Sequence, residues 1–210
     1  MLNIITGRSG CGKSEKIISR ISRVLSEGRR AFVLVPEQQS VVTEKHILEA
    51  LGNTSAMLCE VLNFERLPER VMRETGGVKE TYADRGGRIL LMRNVLKELS
   101  PTLRQYKNTA SSANYVRKIL DMAESFKKQA IVPETLTLMA DTTKSTNRLL
   151  SDKLHDMALI CARYALCFES VLDPTDSISR LTEHLMHEPF FKGADVFVDG
   201  YYTFTGNERL

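Results

Sequence analysis

Tryptophan is absent, aromatic residues make up only 7% of the chain, and the four cysteines are widely scattered. Cys11, Cys59, Cys161 and Cys167 form no C-x-x-C pair, which excludes a zinc ribbon and a disulfide framework and leaves reduced thiols as the expectation. No apolar run approaches the ~20 residues of a membrane-spanning helix. The opening MLNIITGR also lacks the apolar core of a signal peptide. Charge of one sign is missing too. The 29 Lys and Arg face 26 Asp and Glu, a net of +3 that is too balanced for a polycationic nucleic-acid tail. What is there, 42% hydrophobic and 26% charged residues over 210 positions, is enough to build a core. The chain reads as a cytoplasmic globular protein with no membrane partner.

The basic excess is local. Arg8, Lys13, Lys16, Arg20, Arg23, Arg29 and Arg30 are opposed only by Glu15 and Glu27. That bias suits a polyanionic partner near the N-terminus, although a basic helix face is more often merely solvated.

Hydrophobic spacing divides the chain. Met1–Thr6 is a short apolar run broken by Gly7, the pattern of a buried strand feeding a turn. Ile17, Ile18, Ile21, Val24 and Leu25 then recur at helical spacing up to Gly28. Ala31–Val35 predicts a second buried strand, halted by Pro36. A helix with Ser40 as its N-cap comes next, and Met57–Leu62 could form a third strand. This alternation implies a parallel sheet with right-handed crossovers, an α/β fold. From residue 63 to residue 190 helical periodicity takes over, with runs at 67–74, 85–99, 112–129, 146–172 and 177–187. Gly76-Gly77, Pro101, Pro133 and Asp173-Pro174 mark the breaks. A strand returns at Asp195–Val198. The expected organisation is therefore an α/β domain begun by residues 1–62, an inserted α-helical subdomain over 63–190, and a return strand in 191–210. With so little chain after Asp199, these residues read as the front part of a larger protein.

Gly7, Arg8, Ser9, Gly10, Cys11, Gly12, Lys13 and Ser14 match G-x-x-x-x-G-K-[ST], placed between a predicted strand and a predicted helix as the motif requires. Glycines at 7, 10 and 12 allow the backbone to curl its N–H groups around a phosphate. The adjoining helix adds the positive end of its dipole. In this chemistry Lys13 is the catalytic candidate, reaching the β- and γ-phosphates of ATP, and the Ser14 hydroxyl ligates Mg²⁺. Cys11 is read as a small tolerated loop residue. An acidic residue at a neighbouring strand tip completes such a metal site, and Asp199 is the best candidate. A hydrolysing helicase-type ATPase carries Glu immediately after that Asp. Here the residue is Gly200, so phosphate binding is better supported than hydrolysis.

Four segments occur in an order that resembles a known family: NIITGRSGCGKS (3–14), FVLVPEQQS (32–40), VLNFERLPERVMRETGG (61–77) and VFVDGYYTFTGNE (196–208). Together they are similar to the N-terminal region of the AddB family, the B subunits of bacterial AddAB ATP-dependent helicase/deoxyribonucleases. The resemblance implies a P-loop RecA-like domain interrupted by a helical subdomain. It also implies processing of DNA double-strand breaks for recombinational repair, and partnership with an AddA-like motor subunit and with DNA. The nuclease domain and iron–sulfur cluster of such proteins would lie beyond Leu210, so none of the four cysteines belongs to that cluster.

Other constellations are weaker. His184 and His187 share a predicted helix face without a third metal ligand. No G-x-S-x-G elbow supports a hydrolase triad. Arg70, Arg73, Lys79, Arg85, Arg88 and Arg93 could form a track for DNA phosphates, but Glu65, Glu69, Glu74 and Glu80 interleave with them. Phe64, Tyr82, Tyr106 and Tyr115 are possible base-stacking platforms, with Phe64 expected in the core. Two further functional readings stand beside the helicase-like one. The first is a self-contained P-loop kinase of a small metabolite, which would need an acceptor-activating Asp where Pro36-Glu37-Gln38 stands. The second is an ATP-gated structural or DNA-clamping module without turnover.

Overall fold

In a computed structural model of the protein, which describes residues 2–76, 82–168 and 171–209, the chain divides into two units. The first takes the N-terminal residues through Gly76 together with Leu181–Thr203, and the second takes Gly77–Arg180 together with Phe204–Leu210.

The first unit is built on a three-stranded sheet. Its strands are β1 (Arg30–Leu34), β2 (Cys59–Leu62) and β3 (Ala194–Val198), in the spatial order β2-β1-β3 with both pairings parallel. Central β1 is buried on both faces, as a parallel strand beneath helices must be. Its side chains sort by the two-residue period of a strand. Ala31, Val33 and Val35 pack with Ile17, Ile21 and Val24 of α1 (Lys13–Ser26) and Ile47 of α2 (Glu37–Leu51). Phe32 and Leu34 face the other way, onto Leu67 and Val71 of α3 (Leu67–Thr75) and onto Leu181 and Phe190. The unit is therefore three layers deep, helices on sheet on helices.

Helix α1 stops where the sequence predicts. The N–H groups of Gly28 and Arg29 donate to the carbonyls of Leu25 and Val24, closing its last turn. Helix α2 starts earlier than predicted, after Pro36 rather than at Ser40, because proline supplies the fixed φ of a helix entry. Residues 2–6, in contrast, form no strand. Leu2 and Ile4 are exposed, and only Ile5 reaches the core beside α1. An apolar run specifies burial, but a strand also needs a hydrogen-bonding neighbour, and among the described residues this run has none.

The second unit is helical: α4 (Arg85–Leu99), α5 (Ala113–Lys128), α6 (Pro133–Thr143) and α7 (Arg148–Ala165), while α8 (Ser177–His187) straddles the boundary with the first unit. Met92, Leu96, Leu103, Leu120, Leu136 and Ile160 lie in its core. Asp84 caps α4 by accepting from the Gly87 N–H, and Asn147 caps α7 by accepting from the Leu150 N–H. Helix α6 lies where the sequence suggests a break, because Pro133 is its first residue, the position where a missing N–H costs nothing. Helix α7 ends at Ala165, short of the predicted 172; Glu169 and Ser170 of that prediction lie outside the described residues. Among the described residues no helix is long and apolar enough to cross a membrane.

Candidate nucleotide site

The carboxyl edge of a parallel sheet is where open α/β folds place ligands. Here Leu34 pairs with Val198, and the Leu34 carbonyl accepts from the Asp199 N–H at 3.0 Å, so the ends of β1 and β3 are level. The Ser14 hydroxyl donates to Oδ2 of Asp199 at 2.9 Å, across 185 residues of sequence. The start of α1 is thereby brought to the tip of β3. Oδ1 of the same carboxylate accepts from the Gly200 N–H at 2.9 Å.

The loop before α1 is shaped by its small residues. Gly12 serves as the N-cap at φ 78°, a left-handed conformation that glycine adopts without a steric penalty. The first intrahelical bond runs from the Lys16 N–H to the Gly12 carbonyl. Glycine offers no capping oxygen, so the N–H groups of residues 13–15 have no partner from the helix or its cap. A Cβ on Gly7 would collide with Sγ of Cys11, which gives the cysteine a steric place in the loop. Lys13 Nζ donates to the carbonyls of Gly7 at 3.0 Å and Arg8 at 2.7 Å. Residues 7–11 and Ser14 are exposed, while Gly12, Lys13 and Asp199 are half-buried. The chemistry on offer is an ammonium resting on its own loop carbonyls, first-turn N–H groups that no helix carbonyl or cap engages among the described residues, and a hydroxyl beside a carboxylate. Hard oxygen donors of this kind suit Mg²⁺.

One group at this edge escapes the sequence reading. Gly200 sits at φ 77°, and a Cβ there would collide with Oε1 of Gln39 and lie 2.9 Å from its Cδ. The first turn of α2 thus lays a carboxamide against the residue after Asp199. The sequence marks Gln39 only as part of PEQQS, with nothing to indicate proximity to a glycine 161 positions away.

The other candidates are placed differently. Arg70 pairs with Glu60 and Glu74, Arg73 with Glu69, Arg85 with Asp121, and Arg88 with Glu124. Each of these four arginines is thus paired with a carboxylate, two of them in the first unit and two in the second. Lys79 and Glu80 lie outside the described residues. His184 Nε2 is 2.7 Å from the Thr75 hydroxyl, and His187 is exposed. Phe64 stacks edge-on with Tyr201 beside the core, whereas Tyr82 and Tyr115 are exposed. Burial pushes the thiols of Cys59 and Cys161 up to about 11, which leaves them protonated at neutral pH.

Comparison with known proteins carries the same segments further. The family model described as ADDB, N-terminal, matches residues 4–210. The chain is 30% identical over its whole length to the B subunit of the ATP-dependent helicase/deoxyribonuclease of Clostridium tetani, and 31% identical over 99% of its length to that of Clostridium kluyveri. The same subunit of Geobacillus thermodenitrificans is 29% identical over the whole chain. The chain spans about 18–19% of the length of these relatives. With the match running across nearly every residue, the chain belongs to the ADDB N-terminal family.

Proposed function

We propose that this chain is the ATP-binding, helicase-like lobe of an AddB-type subunit, a P-loop RecA-like domain carrying an inserted helical subdomain. Residues 7–14 would bind the triphosphate, Lys13 would meet the β- and γ-phosphates, and Ser14 with Asp199 would hold Mg²⁺. The observation that supports this most is the 2.9 Å bond from Ser14 to Asp199. Two residues chosen from the sequence for a shared metal stand together at the carboxyl edge of the sheet. The Lys13 ammonium needs only to exchange two loop carbonyls for phosphate oxygens, a stronger, charge-assisted partnership. Bound Mg²⁺ would neutralise the charge spread over the β- and γ-oxygens.

In this reading the lobe holds ATP and does not turn it over alone. Gly200 supplies no carboxylate after Asp199, and a single lobe lacks the opposing cationic finger, worth about 10³–10⁵ in rate. The parent assembly would process DNA double-strand breaks for recombinational repair in the cytoplasm, together with an AddA-like motor subunit. Its nuclease chemistry and iron–sulfur cluster would reside outside these 210 residues. A metabolite kinase is disfavoured by the family match over residues 4–210. The decisive measurement is thermal unfolding with and without millimolar ATP–Mg²⁺. Wild type gains about 2.7 kcal/mol at a ligand concentration a hundredfold above Kd, and Lys13→Ala gains nothing. No shift in the wild type would defeat the proposal.

A further inference from the structure

The carboxamide of Gln39 stands in an informative place. It lies against Gly200, where the side chain of the residue after Asp199 would begin. Its backbone is fixed by the bond from the Gln39 N–H to the Pro36 carbonyl at 2.8 Å, in the first turn of α2. Among the described residues its side chain makes no hydrogen bond or ion pair, and it is exposed. Ser14 and Asp199 would hold the metal that screens the charge of the phosphate tail. The position just after Asp199 would then face that tail.

On the footing of the nucleotide site proposed above, we infer that Gln39 is a specificity-determining residue that distinguishes a nucleoside triphosphate from a diphosphate. Its Nε2 would donate to an oxygen of the γ-phosphate, a bond that a diphosphate cannot make. A hydrogen bond to a charged acceptor supports a preference of roughly tenfold. The choice of an amide also fits a lobe that holds nucleotide. A carboxamide can orient a water or a phosphate, but it cannot take up a proton at neutral pH as a carboxylate can. The second helix of the unit thus places a polar side chain where Gly200 carries none.

The test is calorimetric titration of ATP and of ADP, each with Mg²⁺, into wild type, Gln39→Ala, Gln39→Glu and Lys13→Ala. Wild type is expected to bind ATP about tenfold more tightly than ADP. Gln39→Ala should erase that preference while leaving ADP affinity within about twofold. Gln39→Glu, of equal size but without the donor and with an added negative charge, should lose at least as much ATP affinity. Equal losses for both nucleotides, or none, would overturn the inference, because a residue that merely packs on Gly200 has no means of telling one nucleotide from the other. If Lys13→Ala binds both nucleotides as wild type does, the nucleotide site itself fails, and that result is distinct from a failure at Gln39.

Discussion

The two units use polar groups in opposite ways. In the helical unit the important carboxylates are sealed in and fully engaged. Asp156 is 0% exposed and accepts from the backbone N–H groups of Arg104, Gln105 and Tyr106 at 2.6–3.1 Å. Asp173 is equally enclosed, holding Lys127 Nζ at 2.6 Å and the Thr175 N–H at 3.0 Å. In the α/β unit Lys13, Ser14 and Asp199 stand half-buried or exposed, with partners that a ligand could replace, and Gln39 is exposed beside them. Complete satisfaction inside a core is what scaffold requires, and replaceable partners at a sheet edge are what the proposed site requires.

The sharpest way to break this contrast is to delete one carboxylate from each unit. Asp156→Ala strands three N–H groups that have no other acceptor among the described residues, at about 1–3 kcal/mol for each one left unsatisfied. A loss of roughly 3–5 kcal/mol is expected in urea unfolding of the helical unit. Asp199→Ala should cost about 1 kcal/mol and instead abolish the stabilisation by ATP–Mg²⁺. Similar stability losses from the two variants would dissolve the distinction.

Next in size is the buried ion pair. Desolvation pulls the Lys127 ammonium toward neutrality, and its bonds to Asp173 and Asp176 more than offset this, leaving its pKa above the ordinary 10.5. Lys127→Met would leave Asp173 as an enclosed, unpaired charge, a loss of about 3 kcal/mol at neutral pH. Because the pKa is raised by folding, the lysine's contribution is complete below the unfolded value near 10.4 and fades as pH climbs through the folded one. The gap between wild type and variant in thermal unfolding should hold steady across neutral pH and narrow above about pH 10.5. A gap that closes on acidification would point to the carboxylates instead.

The same division decides what the sequence could reveal. The loop from Gly7 to Ser14 stands out in the sequence because its motif is a matter of residue types at close spacing, which needs no distant partner. Helices such as Arg85–Leu99 and Ser177–His187 are legible from their periodicity, and both keep the predicted ends. What stays hidden depends on partners. Whether residues 2–6 become a strand is decided by a neighbouring strand, and whether Pro133 breaks or opens a helix by the residues on its C-terminal side. Asp199 can be picked out by its place at the end of DVFV, but Gln39 cannot. Its meaning arises only when the crossover from β1 sets α2 beside the tip of β3.

Two glycines in the stretch after β3 bring the comparison down to single methyl groups. In the helical unit, a Cβ on Gly206 would collide with the Gln129 carbonyl and lie 2.9 Å from the Ala130 N, both backbone atoms beside a residue already at φ 57°. Backbone gives way poorly, so Gly206→Ala should cost about 2 kcal/mol, with no relief from trimming nearby side chains. In the α/β unit the obstacle to Gly200→Ala is the flexible end of Gln39, together with the left-handed φ of 77°. The cost there should be about 1 kcal/mol, most of it conformational. Adding Gln39→Ala should recover only the few tenths of a kcal/mol that displacing the carboxamide requires, since neighbouring substitutions couple only through what they share. Read by ATP titration, the pair is more telling than by stability. Gly200→Ala pushes the carboxamide off its seat and should weaken ATP but not ADP. In the Gln39→Ala background it should change neither, because the group it displaces is already gone.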